Sequence, residues 1–120
     1  MLGVLAVRPE GALLFFNADH VRDRVLQLVA ESAPTPQTVL LVLVAVPHLN
    51  LVGSGLVIEL RATLAKQGIA LQIAEARDAV CDALKRAGGE RTIDFSTAKL
   101  TAAEAIAALG SGAGLMARHS

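Results

Sequence analysis

The side chains able to do chemistry concentrate in residues 46–60 (VPHLNLVGSGLVIEL) of the 120-residue chain. His48 can exchange a proton near neutral pH, Asn50 can donate or accept a hydrogen bond, and Ser54 carries a hydroxyl between Gly53 and Gly55. Pro47 and the Gly-x-Gly pair predict a bend between an apolar strand and a helix. Backbone N–H groups at Gly53, Ser54 and Gly55 would then open that helix. Their end of it is electropositive and suits a phosphate, sulphate or bicarbonate. A structural turn with Ser54 as the helix cap explains the same residues without any ligand.

Other chemistry is poorly supported. Gly53-Ser54-Gly55 begins like a dinucleotide fingerprint, and Glu75 lies at about the distance of a ribose contact. Ile58 occupies the third glycine position, however, where its bulk opposes close helix–strand packing, and the second half of a dinucleotide fold is missing. His20, His48 and His119 show no ligand spacing, so no metal is expected. No Ser-His-Asp arrangement follows from spacing. Cys81 sits among Val80, Ala83 and Leu84, which reads as a core thiol. The sequence therefore predicts no catalytic residue and no cofactor.

Composition narrows the class further. The chain is 53% apolar and 18% charged, which predicts one packed domain. Tyr and Trp are absent, so the core must be aliphatic and stacking platforms for bases are lacking. Eleven basic and eleven acidic residues cancel without a basic stripe, which argues against nucleic acid. A single cysteine rules out an internal disulfide and fits a reducing compartment. Residues 3–7 are too short for a secretory apolar region and lack a basic leader. Residues 39–58 are long enough to cross a bilayer, yet Pro47, His48, Asn50, Gly53 and Gly55 interrupt them. A buried strand followed by a helix accounts for every interruption, so no membrane insertion is expected.

The elements that must position the loop follow from periodicity. Residues 3–7 (GVLAV) and 12–16 (ALLFF) flank Pro9 and Gly11, which predicts an antiparallel edge hairpin. Asn17 is the expected cap of a helix over 18–31, with Ala18, Val21, Val25, Leu28 and Val29 on one face. Residues 38–46 are apolar at successive positions, the mark of a strand covered on both faces. Leu56, Val57, Leu60 and Leu64 line a second helix ending at Gly68. A strand over 69–74, a helix over 75–87 stopped by Gly88-Gly89, and a poor strand over 91–95 come next. Thr101 and Glu104 form a capping box that opens a last helix to Leu109. The order ββαβαβαβα predicts an α/β fold. It has a mostly parallel sheet of four to five strands, an antiparallel edge and four flanking helices. Residues 1–109 form the domain, and residues 110–120 are expected to be a flexible tail.

That order, with two specific stretches, resembles the STAS domain, the sulphate-transporter and anti-sigma-factor-antagonist module, in its SulP transporter form. Gly11, Leu13, Phe15, Asn17 and Ala18 carry a Gly-x-Leu-x-Phe-x-Asn-Ala pattern leading into the first helix. Residues 46–68 match the switch loop, the following helix and its terminal glycine. Residues 76–88 are similar to the helix after that. Counting back without gaps from Gly68, Leu64 and Leu60, Gly53 falls on the family's motif glycine. Asn50 then stands where the family has Asp, Leu51 follows, and Val52 stands at the phosphoacceptor of the antagonists. Valine cannot accept phosphate. Sliding two residues would make Ser54 the acceptor, at the cost of a deletion that breaks the helix's apolar spacing.

The resemblance implies a non-catalytic, cytoplasmic regulatory domain at the inner face of the membrane. Its partners would be the transmembrane part of an anion transporter or another regulatory protein, with a homodimer as a further option. The alternatives it leaves are a free-standing partner-switching antagonist phosphorylated at Ser54, and a weak nucleotide or anion sensor using residues 50–55.

Overall fold

The five apolar residues Val39, Leu40, Leu41, Val42 and Leu43 are all buried. The first four belong to strand β2 (Thr38–Val42), which lies inside a sheet with helices on both faces. The computed structural model describes residues 3–9, 15–109 and 114–119. Its elements are β1 (Val4–Pro9), α1 (Phe15–Glu31), β2, α2 (Leu51–Lys66), β3 (Ala70–Ala74), α3 (Asp78–Leu84), α4 (Ala102–Ala108) and β4 (Gly114–His119). The strand order is β3-β2-β1-β4, and each neighbouring pair is parallel.

Alternate residues of each strand face opposite helix layers. On one face Leu5, Val7, Val39, Leu41, Leu71 and Ile73 meet the inner sides of α1, α2 and α3. Val21, Val25 and Val29 of α1 and Val57, Leu60 and Leu64 of α2 are all buried there. Each such leucine contributes about 1.5–3 kcal/mol relative to an exposed one. On the other face Val4, Ala6, Leu40, Val42 and Ala74 form a smaller cluster with Ala105 of α4. Two glycines end helices in the left-handed region that side chains disfavour: Gly68 (φ 75°) after α2, and Gly88 (φ 97°) within a wide π-type turn over Lys85–Gly89.

The α/β class, the parallel sheet and the four helices match the sequence reading. Several boundaries do not. Helix α1 already includes Phe15 and Phe16, so Asn17 is inside it and is not its cap. The rest of the expected second strand lies outside the described residues. Strand β1 is flanked by parallel neighbours on both sides, so it is interior and the expected antiparallel edge is not seen among the described residues. Residues 91–95 contribute one parallel bridge, Gln72 to Asp94, in place of a strand. Gly114–His119, read as tail, is a strand beside β1. Its pairing uses backbone groups and needs none of the β-branched side chains that mark a strand in sequence. Residues 39–58, long enough to span a bilayer, are divided between β2, a turn and α2, and no described helix is long and apolar enough to cross a membrane.

Candidate functional site

Beyond β2 the chain turns over the carboxyl edge of the sheet. Leu43 N–H donates to Ala74 O (2.9 Å) and Val46 N–H to Leu43 O (3.0 Å). Val46 and Leu49 are buried and pin the loop, while Pro47 and His48 point outward. Asn50 then stops the extended backbone (φ −87°, ψ 179°) and caps α2. Its Oδ1 accepts from Gly53 N–H at 2.7 Å, and its carbonyl accepts from Ser54 N–H at 2.9 Å. Asparagine is among the strongest N-cap residues because its short side chain reaches back to these otherwise orphaned donors.

Helix α2 thus begins at Leu51, before the two glycines, and this changes the role of every residue in the stretch. Gly53 and Gly55 lie within the helix instead of forming a bend ahead of it. Gly53 is buried and lines the same narrow cleft as Val21 and Arg22 of α1 and Leu41 of β2. Gly55 is exposed, with open space where a Cβ would stand. Ser54 is not the cap. It is fully enclosed in the fourth helical position, and its Oγ has no hydrogen-bond partner among the described residues. The N–H groups of Gly53 and Ser54 are already engaged, so anion capture at this end would fall to the N–H groups of Leu51 and Val52. Helix geometry leaves those two without an intrahelical acceptor.

Leu51 and Val52 are 75% and 51% exposed, the two large apolar side chains that stand out among the described residues. No Asp, Glu, Lys or Arg occurs over residues 38–58, so the stretch of chain that carries them has no acidic side chain, lysine or arginine of its own. Behind it, Arg22 Nη1 joins α1 to α2 through Glu59 Oε1 (3.1 Å) and also meets Asp19 Oδ1 (3.4 Å). Its guanidinium is held protonated above the ordinary range, first by Asp23.

The same sheet edge carries a second helix start, which sequence reasoning saw only in part. Thr101 Oγ1 accepts from Glu104 N–H (3.1 Å), and Glu104 Oε1 accepts from Thr101 N–H (2.9 Å). Glu75, just past β3, adds a third acceptor: Ala102 N–H donates to its Oε2 at 2.8 Å. The carboxylate suited by distance to a ribose is therefore engaged with α4. Asp94 and Asp78 lie on the same side of the fold. Asp94 is held below its ordinary value by the Gln72 amide and then by Ser96 N–H, Asp78 by its ion pair with Lys99. Among the described residues no three of His, Cys, Asp and Glu gather as a metal site.

Comparison with known proteins comes from three directions. The STAS domain family model matches residues 2–105. No curated protein sequence matches at a significant level. Among solved structures, the chain is similar to the SulP transporter STAS domain of Vibrio cholerae. That pair shares 25% identity with a TM-score of 0.69, over 90% of this chain and 82% of the other. A sulfate transporter family protein from Wolinella succinogenes shares the fold at 23% identity and a TM-score of 0.75, over 92% and 87% of the two chains. The murine Solute Carrier 26 family member A9 anion transporter, in its inward-facing state, does so at 23% identity and a TM-score of 0.66. There the match covers 73% of this chain and 14% of the transporter.

Proposed function

The chain belongs to the STAS domain family, and we propose that it is the non-catalytic regulatory and protein-interaction domain of a SulP-type anion transporter, working on the cytoplasmic side of the inner membrane. The observation that carries this reading is the start of α2, where Leu51 and Val52 face outward on a stretch of chain without Asp, Glu, Lys or Arg. Exposed leucine and valine at a helix start contribute nothing to the core. They gain stability only when another surface covers them.

Their small area says what kind of partner that is. Two side chains fall far short of the roughly 800 Å² per partner that a stable free complex buries. A contact so small is useful when the partner is held nearby, because tethering raises its effective concentration without new contacts. The membrane part of a transporter, linked to this domain or assembled with it, meets that condition better than a freely diffusing second copy.

The burial pattern supports the ungapped register. Val52, aligned with the phosphoacceptor of the antagonists, stands at the surface, while Ser54 is enclosed. A kinase would have to unwind the first turn of α2 to reach that hydroxyl. The test is anion uptake by the intact transporter that contains this domain. Leu51→Asp with Val52→Asp should change uptake while the circular dichroism of the isolated domain stays as in the wild type. Unchanged uptake, or stoichiometric phosphate on Ser54 after incubation with a cognate kinase, would overturn the reading.

A further inference from the structure

We propose that α4 is a releasable strap over the second face of the sheet, with Glu75 as the clasp that holds it shut. Its grip is slight. Helix α4 has seven residues, too few to persist alone. Only Ala105 is fully buried within it, with Ala102 and Ile106 half-buried against the sheet, whereas α2 buries five residues. The capping box is internal to α4 and travels with it. Attachment to the sheet at the helix start comes from the Glu75 carboxylate on Ala102 N–H.

Glu75 holds this position in an unfavourable backbone conformation. Its φ is 53°, in the left-handed region that side chains other than glycine, asparagine and aspartate rarely adopt. The conformation aims Oε2 at Ala102 and lets Glu75 N–H donate to Leu100 O (2.9 Å). Strain and clasp thus reside in one residue. When α4 lifts, the carboxylate contact is lost while the backbone bonds of Glu75 to Leu100 and of Ala76 to Ala98 stay in place, so the clasp opens without rearranging the chain that carries it.

The chain just before α4 is firmly placed. Ala76 N–H donates to Ala98 O (2.8 Å), Thr97 Oγ1 donates to Ile73 O (2.7 Å), and Lys99 Nζ donates to Ala76 O (2.9 Å). The hinge on the amino side therefore falls at Leu100–Thr101, the carboxyl side leads to β4 beside β1, and opening bares Leu40, Val42 and Ala74 without disturbing β3.

Native-state hydrogen exchange on the wild-type chain and on two variants tests this. The amides of Ala105 and Leu109, bonded within α4, should exchange at least about 100-fold faster than those of Leu40 and Leu41, by an opening that leaves β2 closed. Glu75→Ala should speed the α4 amides a further tenfold or so and leave β2 unchanged, as expected for a lost charge-assisted hydrogen bond. Glu75→Gln, which keeps an acceptor, should stay close to the wild type. If α4 in the wild type is as protected as β2, or Glu75→Ala accelerates both regions equally, the strap does not exist.

Discussion

The starts of α2 and α4 share one edge of the sheet, and they use their free N–H groups in opposite ways. At α4 the three donors of Thr101, Ala102 and Glu104 all reach side-chain acceptors, two of which are carboxylates. At α2 a single neutral Oδ1 serves Gly53, and the next two positions show leucine and valine to solvent. Each start also contains a hydroxyl. That of Thr101 is bonded, and that of Ser54 is buried without a partner. A helix start closed by its own side chains serves the fold. One left open, with apolar residues outside, is available to something else.

The hydroxyls give the largest test. Thr101→Ala breaks the capping box and should lower unfolding free energy by about 1–2 kcal/mol in urea denaturation. Ser54→Ala removes a buried group that makes no bond and inserts a better helix former. It should be neutral or raise stability by up to about 1 kcal/mol in the same assay. Equal losses at both positions would erase the contrast. Restoring a carboxylate at α2 is a smaller effect: Asn50→Asp should add about 0.3–1 kcal/mol at low salt, fading as salt screens it. No gain at any salt concentration would mean that this end is already neutralised.

Acid should separate the two regions by the smallest margin. The Asp94 carboxyl is depressed from its ordinary value of 3.8. The stability it gives is therefore complete above that value and is lost as pH falls through the lower, folded one. Stability from this group is flat between about pH 8 and 5 and declines below about pH 4. Asp78, lowered by Lys99, follows the same sign. In an amide chemical-shift titration from about pH 5 downward, the amides of Asp78 and Asp94 should show midpoints below the ordinary aspartate value, and those of Leu51 and Val52 should not follow these two transitions.

Much of this layout was legible in the sequence. The consecutive apolar run is buried from Val39 to Leu43, although the strand expected over 38–46 ends at Val42. That run, the buried Val21, Val25 and Val29 of α1 and Val57, Leu60 and Leu64 of α2, Gly68 and the Thr101–Glu104 box each have one physical cause. Leu28 and Leu56, read on the same faces, are half-buried. The start of α2 was misplaced because two glycines in three residues resemble a bend. Glycine's weak helix propensity is overridden here by the Asn50 cap and by the burial of Val57, Leu60 and Leu64 along the same helix. The signal that places the cap is Asn50, a preferred N-cap residue three positions before the donor that it satisfies. Glu75 left no such signal. Its left-handed backbone and its reach to Ala102 depend on two segments 27 residues apart meeting at the sheet edge, which no local pattern encodes.

The central claim, that the open start of α2 is a contact surface, is tested most directly by photo-crosslinking in the intact transporter. A benzophenone amino acid is placed at position 51, with position 66, the exposed end of the same helix, as the control. An adduct to the membrane part from position 51 and none from position 66 is the predicted result. No adduct from 51, or equal adducts from both, would contradict the account.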